Sequence, residues 1–386
     1  MSLLSRKLNA SFNDYESLGA KQTISLVVEL DGPLNILALR DHIARLKEQF
    51  SEINFLPTLN IVQAVPSLNL VAKIFSNGNV NNPLEFHLVG ENNKFFLVCL
   101  YHHSFCDGLG GLEVFRRIVE PKIENVSARE HEALELFKRQ EKDSFSLLNG
   151  LKTGIKQIGA RNLLGVNNLS YALDQERRIE IISRPIKEIR ELKQKLGCSL
   201  NELYLYSVSQ ILRSLFLESK NHTALVPVNL RPRGLKTTLG NFILVVPVRL
   251  PSEIEFKLDS FKEISSSLES KENLSAYRSA ISLVLRLPRF VKLPILSKLA
   301  SLSTCIATYV PDSITKRDLC GAKIVKEFGM PALLPGHKIG FCLITTKDEF
   351  SLGITTAGDL IDQGVKARAA FESIFENLSS HETFSL

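Results

Sequence analysis

The residues best suited to chemistry lie together at Tyr101-His102-His103-Ser104-Phe105-Cys106-Asp107-Gly108. A neutral imidazole titrates near physiological pH, so a histidine held at a strand end can take a proton from an attacking hydroxyl or amine. Asp107, followed by Gly108, is spaced to brace the loop that carries such an imidazole. A plainer reading makes His102 and His103 core residues satisfied by backbone groups, with Asp-Gly as an ordinary turn. The surroundings favour the chemical reading. The apolar run Phe95–Leu100 leads in, Gly108-Leu109-Gly110-Gly111 leads out, and an amphipathic segment follows. Cys106, inside the motif, reads as packing rather than as a nucleophile.

The elements that must hold these residues follow from periodicity. Thr23–Leu30 reads as a strand ending at Asp31-Gly32, and Leu39, Ile43, Leu46 and Phe50 recur at helical spacing. Residues 59–73 and 83–100 read as strands, the second feeding the histidine pair, and Leu109–Ile118 as a helix behind it. The pattern weakens over 125–178, which places a boundary between two units, 1–165 and 166–386. Beyond it come a strand at Arg178–Ile182 and a helix from Pro185 that Gly197 ends. A helix from Ser199 to about Leu217 follows, then strands at Thr223–Val228, Phe242–Leu250, Lys338–Thr346 and Ser351–Thr356. Strands and helices mix in both halves, an α/β pattern.

Composition narrows the function classes. A net charge of +6 is too small for the basic stripe of a nucleic-acid binder, though it suits phosphate-bearing ligands or an anionic membrane surface. The six cysteines are scattered with no Cys-x-x-Cys pair, so neither a zinc site nor a disulfide framework is expected. No signal sequence and no apolar run of membrane-spanning length is visible, and a cytoplasmic location is expected. Residues 281–302 interleave four basic residues with aliphatics and with Pro288 and Pro294. Two readings stay open for them: a peripheral contact at the inner membrane surface, or a buried helix with two breaks.

The motif His102-His103-x3-Asp107-Gly108 resembles that of the CoA-dependent acyltransferase superfamily. Its branches include chloramphenicol acetyltransferase, condensation domains, polyketide-associated acyltransferases and wax ester synthase/diacylglycerol acyltransferases. The resemblance runs from about residue 20 to 375, and is most specific at the histidine pair. It implies two chloramphenicol acetyltransferase-like subdomains, each a mixed sheet flanked by helices, with the active site in a tunnel between them. It further implies His103 as general base, His102 in support, and Asp107 as a brace paired with an arginine, for which Arg231 is the candidate. Gly197-Cys198-Ser199-Leu200-Asn201-Glu202 is similar to a helix start in the wax ester synthase branch, with Glu202 where that branch has Asp. Ser199-x-x-Glu202 is also a capping box, which alone explains these residue types. Pro227–Arg233 followed by Gly240-Asn241-Phe242 resembles the arginine loop and strand start of both the condensation and wax ester synthase branches. Gly108, Asn201, Arg231, Gly240 and Asn241 are therefore the expected substrate-binding residues.

The resemblance implies an acyltransferase that uses acyl-CoA or an acyl-carrier phosphopantetheine, with no metal and no tightly bound cofactor. Partners would be the thioester donor, an alcohol or amine acceptor and an acyl-carrier protein, but no nucleic acid. Transfer to a hydroxyl is favoured, because the chain carries no adenylation or carrier module. A condensation-type N-acyltransferase and a non-catalytic acyl-ligand or carrier-binding protein are the alternatives.

Overall fold

Strands with apolar side chains on both faces must be covered on both faces, and such strands form the middle of two six-stranded sheets. The computed structural model describes residues 12–121 and 176–380, apart from 19, 51–52, 54, 79–81, 218–221, 232–238, 251–257, 302, 312–313 and 315. The expected boundary near 165 lies outside the described residues.

In chain order the elements begin with α1 (12–17), β1 (Thr23–Asp31), α2 (Ile36–Ala44), α3 (Leu46–Gln49), β2 (Leu59–Val62), α4 (Leu68–Asn77), β3 (Leu84–Glu91), β4 (Lys94–His102) and α5 (Gly108–Val119). They continue with β5 (Arg177–Pro185), α6 (Ile186–Lys195), α7 (Leu200–Leu215), β6 (His222–Asn229), β7 (Ile243–Leu250), α8 (Leu258–Glu269), α9 (Lys271–Val284) and α10 (Arg289–Ser301). The last are β8 (Cys305–Pro311), β9 (Asp318–Leu319), β10 (Ala322–Met330), β11 (Ile339–Thr345), β12 (Glu349–Ala357), a 3-10 turn (Gly358–Gln363) and α11 (Gly364–Ser380).

The first sheet has the order β2-β3-β4-β1-β10-β9 and the second β5-β12-β11-β8-β6-β7. Both are mixed: β2 lies parallel to β3, and β8 parallel to β11 and β6, while the other neighbours are antiparallel. Alternation along β1 and β4 divides their residues between two cores. Leu26, Val28, Leu97 and Cys99 join the buried residues of α2 and α5, whereas Val27, Val98 and Leu100 meet Val71, Ala72 and Phe75 of α4. Helices α6, α7 and α11 cover the second sheet through Ile189, Leu192, Tyr204, Val208 and Phe371. The C-terminal half supplies β9 and β10 to the first sheet, β10 pairing with β1 from Ser25↔Met330 to Asp31↔Lys323.

Two readings of the sequence are corrected. Only Leu59–Val62 of the run 59–73 is a strand; Ser67 caps a helix there by accepting from the Leu70 N–H at 3.3 Å, and Val71, Ala72 and Phe75 share its buried face. The run 83–100 is a hairpin, turned at Asn92-Asn93 with φ of 53° and 63°. Gly197 does end α6: at φ 64° its N–H bonds to Gln194 and that of Cys198 to Lys193, a Schellman closure.

The two sheets touch backbone to backbone where β10 crosses β11 and β12. A Cβ on Gly329 would lie 2.5 Å from Cys342 Sγ, and one on Gly353 would overlap the Gly329 carbonyl oxygen. A rigid carbonyl cannot step aside, so Gly353→Ala is expected to lower stability by about 1–3 kcal/mol, read as an earlier denaturant midpoint. An unchanged midpoint would mean the sheets are farther apart than described.

Candidate active site

β4 delivers the histidine pair. Thr23↔His102 is the last β1–β4 pair, and the backbone N–H of His103 donates to the Gln22 carbonyl at 2.7 Å, so the chain is still tied to β1 as it leaves the sheet. A tight turn over Ser104–Cys106 then brings Asp107 to the N-cap of α5, where its carboxylate accepts from the Gly110 N–H at 2.9 Å. Gly110 and Gly111 lack side chains for a packing reason. Their Cβ atoms would lie 2.8 Å from Cys106 Cβ and 2.9 Å from the Tyr101 ring.

The Asp107 carboxylate is saturated. Arg231 donates to it from both terminal nitrogens at 2.8 Å, and the Phe242 N–H donates at 2.9 Å, with both side chains essentially inaccessible. The arginine also reaches the Gly240 carbonyl at 3.1 Å and stacks over the Phe242 ring. Gly240 adopts φ +114°, which favours glycine, and its carbonyl receives the Asp107 N–H at 3.3 Å. This ion pair locks the loop before β7 onto the motif loop and so delivers Asn241.

Asn241, fully buried, clamps His103 twice. Its Nδ2 donates to the His103 carbonyl at 2.5 Å, which turns Oδ1 toward the ring, 3.1 Å from Nδ1. An amide oxygen only accepts, so Nδ1 carries the proton and Nε2 keeps the lone pair. Burial lowers the pKa of His103, opposed by the Asp107 charge and by hydrogen bonds to its own backbone and Asn241, with a lesser lowering from His102. The imidazole is therefore neutral at pH 7, the state a base requires. His102 is occupied at both nitrogens, Nε2 by Glu16 at 2.8 Å and Nδ1 by Ser104 at 2.5 Å. The Cys106 thiol is buried and pushed far up by desolvation and by Asp107, which keeps it protonated.

A mainly apolar cavity of about 90 Å³ borders His103. Its walls come from both sheets and include Ile24, Gly108, Asn229, Ile306, Thr308 and Val310. A Cβ on Gly108 would lie 2.9 Å from Val310, so glycine keeps that wall open.

Of the residues singled out from sequence, the structure brings together His103, Asp107, Gly108, Arg231, Gly240 and Asn241. The Arg231 guanidinium donates to the Asp107 carboxylate and to the Gly240 carbonyl. Asn241 bonds to His103 through both atoms of its amide. Asn201 sits half-buried on the first turn of α7 and does not line the cavity. There Ser199 and Glu202 form a reciprocal capping box, at 3.2 and 2.6 Å. Arg233 lies outside the described residues. Sequence reasoning missed Phe12, whose ring stacks on His103 at 4.0 Å between centroids, and Glu16 on His102. Neither belongs to a local motif. Within the segment 281–302, residues 281–284 end α9 and 289–301 form α10, with Leu285, Leu296 and Ala300 buried and Phe290 exposed. Among the described residues no helix is long and apolar enough to cross a membrane, and no cluster of His, Cys, Asp or Glu could hold a metal.

Solved structures match this fold over nearly the whole chain. The wax ester synthase/diacylglycerol acyltransferase from Marinobacter aquaeolei VT8 superposes with a TM-score of 0.61 at 16% identity, covering 96% of this chain and 97% of that one. The starter condensation domain of rhizomide synthetase, in complex with C8-CoA, gives 0.65 at 12% identity, covering 97% and 94%. The chain has the fold of these wax ester synthase/diacylglycerol acyltransferase and condensation-domain structures. In sequence, the chain is 24% identical over 329 residues to a Mycobacterium tuberculosis protein named "Putative diacyglycerol O-acyltransferase", 74% of this chain and 72% of that protein. No family model matches.

Proposed function

We propose that this protein transfers an acyl group from a thioester to a hydroxyl acceptor, with His103 as general base. The observation that carries the reading is the Asn241 clamp, which leaves Nε2 of a buried, neutral His103 as a lone pair beside an apolar cavity. In the reaction Nε2 takes the acceptor's proton as its oxygen attacks the thioester carbonyl. The C–O bond forms, the C–S bond breaks, and the proton passes to the departing thiolate. No covalent enzyme intermediate and no resident cofactor is needed.

The donor is acyl-CoA or an acyl-carrier phosphopantetheine; the C8-CoA complex of the condensation-domain structure supports the former. The hydroxyl preference rests on the diacylglycerol and wax ester names of the similar proteins. The condensation-domain likeness favours a second reading, transfer to an amine. The units 1–165 and 166–386 would act as two subdomains with the substrates meeting in a tunnel between them. Exposed Phe290, beside Arg286 and Arg289, is the point at which α10 would touch a membrane surface.

Acyl-CoA donors of several chain lengths, incubated with alcohols and amines and followed by free-thiol detection, test the reading. Acceptor-dependent thiol release, fastest with an alcohol, is the expected result. Release only with amines selects the second reading. No acceptor-dependent release from CoA or carrier thioesters would leave a binding protein.

A further inference from the structure

One short helix touches both motif histidines, although it lies some ninety residues before them. Phe12 of α1 lays its ring on the His103 imidazole, 4.0 Å between centroids and 13° from parallel. One turn on, Glu16 accepts from His102 Nε2 at 2.8 Å, and the same carboxylate oxygen accepts from the Gln22 N–H at 3.2 Å. Gln22 in turn offers its carbonyl to the His103 N–H. Between these two, Asp14 pairs with Lys292 at 2.6 Å and Arg289 at 3.5 Å on α10, and Tyr15 packs against the cluster containing Leu225, Ile306 and Leu333. The helix thus meets the motif through Phe12 and Glu16 and the far half of the chain through Asp14 and Tyr15 between them.

These contacts have two physical consequences. A stacked ring fills one face of the imidazole, so the cavity meets His103 only at its other face or edge. The ring also excludes water from that face, and desolvation favours the neutral imidazole.

We infer that residues 12–17 form a strap that positions the base, with Phe12 holding His103, Glu16 holding His102, and Asp14 anchoring the strap to α10. Phe12 and Glu16 are positioning residues; they act on a proton-transfer group and touch no reacting atom. The kinetic consequences rest on the proposed acyl transfer, whereas the burial of His103 by the strap does not.

The test therefore has one arm that needs no turnover. Carbethoxylation of the full-length protein by diethyl pyrocarbonate, resolved by peptide mass spectrometry, reads the exposure of His103, with half-buried His87 as internal reference. Phe12→Ala is expected to speed labelling of His103 several-fold relative to His87, and Phe12→Tyr to leave it at the wild-type rate. Asp14→Asn, which touches neither histidine, is expected to speed it to a smaller extent, and it carries the test if Phe12→Ala does not fold.

In the second arm, Phe12→Ala is expected to lower kcat about ten- to a hundredfold with little change in the acceptor KM. The acid limb of kcat/KM should move to higher pH as water reaches the ring. The charged and titratable groups around that ring are Asp107 with Arg231, His102 with Glu16, and the Cys106 thiol, all unchanged in this variant. Phe12→Tyr should restore both kcat and the limb. Unchanged labelling in Phe12→Ala, or in Asp14→Asn where it stands in, overturns the strap. A pH limb that stays put while kcat falls overturns its role in holding the base. Labelling that responds while wild-type protein releases no thiol sinks the acyl-transfer reading and leaves the strap standing.

Discussion

His103→Ala is expected to lower acceptor-dependent thiol release about 10²- to 10⁴-fold, the range a positioned general base contributes. The fold should survive, because the side chain makes one ring hydrogen bond while the backbone bonds of residue 103 to Gln22 and Asn241 remain. An unchanged denaturation midpoint beside lost turnover would separate chemistry from folding. His102→Ala should cost less activity, since both of its nitrogens are spent on Glu16 and Ser104 and none is left to take a proton. The pH profile has a definite sign. A general base works unprotonated, and burial holds the His103 pKa below the ordinary histidine value, so if His103 is that base kcat/KM should be flat through neutrality and fall only on the acid side of the usual imidazole range. A limb above that range, or near-full turnover in His103→Ala, would assign the proton to another group.

What could be read from the sequence was what is local. The histidine pair stands at the end of an apolar strand and opens onto a glycine-rich helix start, so β4, the turn and α5 were visible together. Ser199-x-x-Glu202 announced the capping box, and Gly197 the end of α6. Residues 59–73 misled because Leu68–Phe75 is apolar enough to pass for a strand, and one hydroxyl, that of Ser67, is all that marks the helix start. The Asn92-Asn93 pair did carry the signal for the hairpin inside 83–100.

Long-range relations left no local trace. Arg231 lies 124 positions from Asp107, and only resemblance to a family paired them. Asn241 was singled out by the same resemblance, but its two bonds to His103 left no trace in the sequence, because they depend on a loop that the ion pair pulls into place. Nothing in the periodicity of β10 says that it joins the sheet of the first half, and nothing near Phe12 says which histidine it will cover.

The second large effect belongs to that ion pair. Asp107→Ala leaves an inaccessible guanidinium without its carboxylate, and removing one partner of such a pair costs about 3–5 kcal/mol. It also strips α5 of its N-cap, worth about 1 kcal/mol, and orphans the N–H groups of Gly110 and Phe242. Arg231→Met should cost a similar amount by stranding the carboxylate, and Arg231→Lys should not rescue it, since a point charge cannot replace two parallel bonds. The double variant Asp107→Ala/Arg231→Met should be less destabilised than the two single losses added together, because neither charge is then stranded. Urea denaturation of the four proteins measures the coupling directly. Activity should fall in every one of them, for the loop that presents Asn241 is held by the same bonds, and a His103 freed from its clamp can protonate at either nitrogen. If instead Asp107→Ala keeps the wild-type midpoint and loses only turnover, the carboxylate acts on the substrate and not on the architecture. The saturation of its oxygens by Gly110, Arg231 and Phe242 argues for the architecture.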